Sequence, residues 1–126
     1  MDKKILLVAT FLGLTAIVLG AFGAHALKER ISAERLVSFE TGVRYQMYHG
    51  LAFLILANFV DRWKFNFRPI FLLLSSGILF FSCSIYGLAL QEIVGVSMKF
   101  LGPITPIGGL LLICGWALLG IKISKS

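Results

Sequence analysis

Charged residues are scarce in this chain of 126 residues. Only 14% of them are Asp, Glu, Lys or Arg and 58% are hydrophobic, whereas a soluble domain carries about 25% charged and about 45–50% apolar residues. What charge there is stands singly between long apolar runs. The shortage of charge therefore excludes an ordinary soluble domain and favours a membrane protein.

The motifs that usually carry chemistry are also missing. The cysteines, Cys83 and Cys114, form no CxxC pair and lie in apolar runs, as small packing residues do. His25 and His49 lack HxxxH or ExxH spacing, so we predict no metal site. The spans hold no GxSxG serine, aspartate pair or glycine-rich phosphate loop. We therefore expect no catalytic residue and no cofactor, and an enzyme is the least favoured class.

Three apolar segments are long enough to cross a bilayer. A helix rises about 1.5 Å per residue, so a hydrocarbon core of about 30 Å requires about 20 residues. Residues 5–27, 70–90 and 100–121 meet this length without a charge in their apolar runs, and Pro69 suits the first turn of the second of them. The first segment is too long for the apolar region of a signal peptide, so we expect it to be retained.

A fourth span must include polar residues. Residues 47–60 would cover only about 21 Å as a helix, so the predicted span is 41–60 and carries a polar turn to membrane depth. Ser32 suits an N-cap, and apolar residues at helical spacing predict one helix from 32 to 60. We therefore predict an all-α fold, a single domain over residues 1–126. It is an integral membrane bundle of four transmembrane helices, with helix 2 extended by an interfacial amphipathic segment.

The basic residues indicate orientation rather than a nucleic-acid partner. A nucleic-acid interface needs basic residues gathered on one exposed face, and here the net charge of +6 is dispersed. Seven Lys and Arg residues fall at the N-terminus, the second connection and the C-terminal tail, against five in the other two connections. This bias predicts a multi-pass membrane protein with both termini cytoplasmic.

Small residues predict where helices approach each other closely. In helix 1 they recur every four residues, and helix 4 contains an adjacent glycine pair. Such positions allow backbones to pack tightly, although a ligand pressed against bare backbone is an open alternative. The predicted packing residues are Ala16, Gly20, Ala24, Gly108 and Gly109.

The polar residues of the spans are predicted to gather at one end of the bundle. Threading four helices up and down places seven of them in one leaflet, and ionisable groups at such depth usually face inward and pair. Two interpretations remain open: a pocket for a head group, quinone, ion or proton, and a hydrogen-bonded clasp that fixes helix register. The candidate residues are His25, Glu40, Arg44, Tyr45, Tyr48, His49 and Tyr86.

Three stretches of the chain are distinctive: residues 20–27 (GAFGAHAL), 39–50 (FETGVRYQMYHG) and 106–109 (PIGG), the last followed by Gly115-Trp116. They resemble the family known as domain of unknown function 423, which comprises small bacterial inner-membrane proteins with relatives among eukaryotic transmembrane proteins. From this resemblance we expect the cell inner membrane as the location. The resemblance covers nearly the whole chain and implies a four-helix membrane protein, but no activity. One departure is Cys83, where the family pattern has a glycine between two serines.

Two functional classes follow from this pattern. The leading hypothesis is a non-enzymatic membrane protein that works as an accessory subunit of a larger inner-membrane complex or as a self-associating bundle, because four helices with short loops leave little room for an active site. The alternative is a small transporter or a lipid- or quinone-binding protein that uses the polar cluster. In both cases the lipid bilayer is the first partner.

Overall fold

Every regular secondary-structure element in the described part of the chain is a helix. A computed structural model covers residues 2–126, and this range contains no strand. The all-α prediction is therefore confirmed. The four long helices are α1 (Asp2–Phe22, continued by a π-helical turn, Gly23–Leu27), α2 (Ala33–Leu56), α3 (Arg68–Val94) and α4 (Ile104–Lys125), with short 3₁₀ helices at Val60–Arg62 and Lys99–Leu101.

Three helical segments are long and apolar enough to cross a membrane: Lys3–Leu27, Arg68–Val94 and Lys99–Lys125. They contain the three apolar spans predicted from the sequence. The remaining helix, α2, has 24 residues and extends about 36 Å, so its length suffices for a crossing. Its first half is charged, however, and its composition alone does not class it as a span.

Local sequence chemistry explains where α2 begins and ends. Ser32 is its N-cap, as predicted, because its hydroxyl accepts a hydrogen bond from the Arg35 amide at 3.2 Å. The helix ends at Leu56, four residues before the predicted end. There the Asn58 side chain donates to the Leu54 carbonyl at 2.9 Å. The Asn58 and Phe59 backbone amides donate to carbonyls three residues earlier, not four as in an α-helix.

The helices α3 and α4 begin and end at residues other than those predicted. Pro69 lies in the first turn of α3, as predicted, but the helix continues to Val94. It ends where Gly95 adopts a φ of 73°, a left-handed conformation that glycine tolerates best. The fourth helix begins only at Ile104, because residues 99–101 form a separate 3₁₀ turn.

The chain packs its helices in sequence order: α1 against α2, α2 against α3, and α3 against α4. One apolar core lies toward the end where α1 and α3 begin, and includes Phe53, Ile70 and Leu74. A smaller core at the opposite end contains Leu27 and Phe39. Because α2 and α3 are the inner helices of this series, α1 and α4 lie at its edges and present broad apolar faces outward.

The predicted packing residues fall in different environments. Ala16 is buried, and a Cβ on Gly20 would lie 3.5 Å from Val43, so α2 covers this part of α1. Ala24 is exposed. On α4, Gly108 lies directly against the backbone of residues 80–81, whereas a Cβ on Gly109 would make only ordinary contact with Phe81, at 3.8 Å.

Candidate functional site

Gln46 connects three helices in the interior of the bundle. Its side-chain amide donates to the Leu12 carbonyl at 3.0 Å and to the Thr15 hydroxyl at 2.6 Å, both on α1. Its Oε1 accepts from the Tyr86 hydroxyl of α3 at 2.7 Å. Gln46 is only 5% exposed, so these bonds form away from solvent. The amide thus uses both its donor and its acceptor group between helices.

Glycines on either side of Gln46 allow these contacts. Gly42 and Gly50 lie one helical turn before and after it, on the same face of α2. A Cβ on Gly42 would come within 3.1 Å of the Tyr86 ring, and one on Gly50 within 3.2 Å of the Ala9 carbonyl. Because both neighbouring helices approach α2 this closely, a single amide side chain reaches both of them.

Two serines of α3 add further bonds between helices. The buried Ser82 hydroxyl donates to the Gly42 carbonyl of α2 at 2.8 Å. Ser84, also buried, shares a hydrogen bond of 2.5 Å with the Thr105 hydroxyl of α4. Ser82 thus ties α3 to α2 beside Gln46, and Ser84 ties α3 to α4.

His49 links α2 to α4. The Trp116 indole donates to His49 Nε2 at 2.9 Å, so the ring proton resides on Nδ1, which lies 2.8 Å from the Tyr45 carbonyl. The two rings meet edge to face, with centroids 5.8 Å apart. A cavity of about 450 Å³ opens beside this pair and is also lined by Tyr45, Phe81 and Gly109.

A second polar contact lies at the end of the bundle where α2 begins. The Glu92 carboxylate of α3 accepts from the Ser32 amide at 2.9 Å and from its hydroxyl at 3.3 Å, and it lies 3.6 Å from Arg35 Nε. Among the side chains of residues 3–126 this is the only ion pair. It ties the start of α2 to the end of α3 at the surface.

The structure does not bring the seven predicted polar residues together in one group. Tyr86 joins Gln46, whereas His49 joins Trp116. Tyr45 and Tyr48 contact each other with ring centroids 5.8 Å apart, on a half-exposed part of α2.

The remaining three predicted residues lie at the surface. Glu40 and Arg44 are exposed, and the Arg44 guanidinium donates to the Thr41 hydroxyl at 3.2 Å. His25 is exposed in the π-helical turn that follows α1.

Two residues at the centre of these contacts were not predicted as site residues. Gln46 had a signal in the sequence: it is an uncharged polar residue on a helix with glycines four residues before and after it. Trp116 had a weaker one, because a partly buried indole N–H needs an acceptor and His49 is one of only two histidines in the chain. Among residues 3–126, whose side chains the structure describes, no three His, Cys, Asp or Glu residues are grouped closely enough to hold a metal ion.

Comparison with known proteins identifies relatives over the whole chain. The profile of the family described as "Protein of unknown function (DUF423)" matches residues 19–109. A UPF0382 membrane protein of Staphylococcus saprophyticus is 40% identical over 123 residues, covering 98% of both chains. A UPF0382 membrane protein of Staphylococcus haemolyticus is 44% identical over 106 residues, covering 84% of this chain and 83% of that one. No solved structure matches the chain.

Proposed function

The chain belongs to the DUF423 family of membrane proteins, and from that premise we propose that it is a non-enzymatic protein that acts by associating with other chains within the bilayer. The associated chain is a second copy of itself or a subunit of a larger inner-membrane complex. The observation that carries this proposal is the open face of α1. Phe11, Leu14 and Ile17 are 63%, 64% and 65% exposed, and a Cβ on Gly13 would meet nothing within 4 Å.

The interior contacts support a structural rather than a catalytic use of the polar residues. Gln46, Tyr86 and His49 each use their polar groups in hydrogen bonds to protein atoms. A polar group satisfied by a neighbouring helix fixes the register of that helix, because any slip leaves the group without a partner in an apolar medium. These residues are therefore a clasp between helices, with Gln46 at its centre.

The same contacts favour four crossings with both termini cytoplasmic. The helix α2 lies between α1 and α3 and shares buried hydrogen bonds with both, so it accompanies them through the bilayer although its first half is charged. In this arrangement the end where α1 and α3 begin carries seven Lys and Arg residues against five at the other end. Under the positive-inside rule that end is cytoplasmic.

Labelling of single cysteines tests this topology. In a protein with Cys83→Ser and Cys114→Ser, a cysteine at position 28 or 97 should react with a membrane-impermeant maleimide in intact cells. A cysteine at position 64 should react only after permeabilisation, since it lies beyond the second crossing. Equal reactivity at 28 and 64 would place both connections on one side and contradict the crossing by α2.

Substitution of an open glycine tests association. Gly13→Ile should convert the associated form to a single chain in mild detergent, because the β-branched side chain occupies the space that a partner backbone would approach. It should leave the fold intact, since nothing of the same chain lies within 4 Å of its Cβ. Light scattering measures the mass, and co-purification of untagged with tagged chain distinguishes a second copy from another subunit.

The matched control is Gly120→Ile on α4, whose Cβ also meets nothing within 4 Å. It should not change the mass if α1 carries the interface. A native protein that is a single chain without any co-purified subunit would refute the proposal, as would a Gly13→Ile variant that associates normally.

A further inference from the structure

A groove runs between α1 and α3, which point in the same direction and are held apart by α2. Where the two helices begin, a cavity of about 240 Å³ is lined by Lys4, Arg68, Phe71 and Leu72. It is followed along the same helices by a cavity of about 380 Å³. The second begins at Val8 and Ser75, one turn beyond Lys4 and Phe71. We call the two together the α1/α3 groove.

The mouth and the interior of this groove differ in chemistry. Two cationic side chains, Lys4 and Arg68, stand at the mouth, on different helices. The wall beyond them is largely apolar, with Phe11, Leu12 and Leu79 among its residues. A cationic opening that leads into an apolar channel matches an amphiphile with an anionic head and a hydrocarbon tail.

The surroundings strengthen the preference for an anion. Both α1 and α3 begin at this end, so the positive ends of their dipoles face a head group held between them. The same end carries the larger share of the Lys and Arg residues and is the one proposed to be cytoplasmic. Basic pockets between transmembrane helices on that side are typical sites for anionic lipid head groups.

The dimensions of the groove suit an acyl chain. From Lys4 to Leu19, the last α1 residue on its wall, the helix rises about 22 Å. The acyl chains of one leaflet occupy about half of the hydrocarbon core, or about 15 Å. The head-group region adds about 5–7 Å to each leaflet. A lipid with its phosphate beside Lys4 and Arg68 therefore extends about 20–22 Å along the groove, to the level of Leu19 and Cys83.

We infer that the α1/α3 groove binds one anionic phospholipid, with its phosphate between Lys4 and Arg68 and an acyl chain along the wall toward Gln46. The groove borders the outward face of α1 at Phe11, which belongs to both surfaces. The lipid site does not depend on the proposed association of that face with other chains. A bound lipid fills the space between two helices that α2 keeps apart.

The chain contains its own reporter of occupancy. Cys83 is exposed on the wall of the groove, whereas Cys114 is exposed on α4 and lies outside it. In purified Cys114→Ser protein in a nonionic detergent, dioleoyl phosphatidylglycerol should slow the reaction of Cys83 with N-ethylmaleimide in a saturable manner. Dioleoyl phosphatidylcholine at the same concentration should slow it far less. In Cys83→Ser protein, the rate at Cys114 should not depend on either lipid.

Charge variants test the head-group contact. Lys4→Gln with Arg68→Gln should raise the half-saturating concentration of phosphatidylglycerol about thirtyfold, since each basic residue near an anionic lipid contributes about a fivefold factor. The matched control is Lys122→Gln with Lys125→Gln, which removes the same charge from the same end of the bundle but on α4. It should change that concentration by less than about twofold, because its residues do not line the groove.

The inference would be overturned by equal protection by phosphatidylcholine, by an equal loss of protection in the α4 control, or by unchanged protection in the Lys4 and Arg68 variant. In each charge variant, a labelling rate at Cys83 without lipid that equals that of the parent protein shows that the groove is retained. If dihexanoyl phosphatidylglycerol protected Cys83 as well as the dioleoyl form, a long acyl chain would not be needed for protection. That result would also overturn the inference.

Discussion

Replacing Gln46 with alanine is expected to lower the free energy of unfolding by about 3 kcal/mol. The change removes the hydrogen bonds to Leu12, Thr15 and Tyr86. Bonds of this kind between membrane helices average about 0.6 kcal/mol and reach about 1.7 kcal/mol. Leaving the buried Tyr86 hydroxyl without its acceptor adds about 1–3 kcal/mol. The measurement is unfolding in mixed micelles of increasing dodecyl sulfate, followed by tryptophan fluorescence.

A double-mutant cycle separates the clasp from a simple loss of packing. Tyr86→Phe alone should cost about 1 kcal/mol, and Gln46→Ala in that background should cost less than in the native protein, because the partner is already absent. The control is Thr10→Val, since the Thr10 hydroxyl bonds only within its own helix, to the Leu7 carbonyl. Strict additivity of the two changes, or a Gln46→Ala protein as stable as the native one, would contradict the clasp.

Gly108→Ala is expected to cost about 3 kcal/mol, at the upper end of the range for overpacking. The added Cβ would overlap the Phe81 amide nitrogen and lie 2.8 Å from the Phe80 carbonyl carbon. Backbone atoms within a helix cannot turn aside as a side chain can, so α4 must move away from α3. Two neighbouring contacts, Gly115 with Leu74 and Gly77 with Leu112, would then also be lost.

The adjacent glycine provides the control. Gly109→Ala places its Cβ 3.8 Å from the Phe81 ring, an ordinary contact, and should be neutral or slightly stabilising because alanine favours the helix. Both variants can be compared by the same unfolding assay. Equal stability of the two would mean that α3 and α4 do not pack as closely at residue 108 as the structure has them.

The sequence predicted those features that depend on neighbouring residues alone. The three apolar spans, the N-cap at Ser32 and the place of Pro69 follow from composition, length and backbone chemistry. The predicted end of α2 was wrong by four residues, because the Asn58 side chain binds a carbonyl group of the last turn. The sequence showed the row of small residues in α1. Which of these residues face α2 could not be predicted, because that depends on the rotation of each helix about its axis.

The hydrogen bonds between polar residues are harder to predict from the sequence than the spans and the N-cap. Glu40 and Arg44 stand four residues apart on α2, as do Tyr45 and His49, and side chains at this spacing in a helix can pair. In the structure Tyr86 bonds to the Gln46 side chain, 40 positions away in the chain. His49 bonds to the Trp116 side chain, 67 positions away, and within its own helix only to the backbone carbonyl of Tyr45. A polar group in an apolar interior bonds to a polar group of the neighbouring helix. The spacing of residues along the sequence does not determine which group that is.

The sequence by itself determined that this protein is helical, apolar and placed in a membrane, because each of those properties is a sum over residues or over one helical turn. Only the tertiary structure decided that Gln46 is the centre of the interior contacts and that Lys4 and Arg68 share one groove. Those properties depend on the rotation and depth of each helix against its neighbours. Rotation and depth follow from packing at glycines such as Gly42, Gly50 and Gly108, where backbones meet.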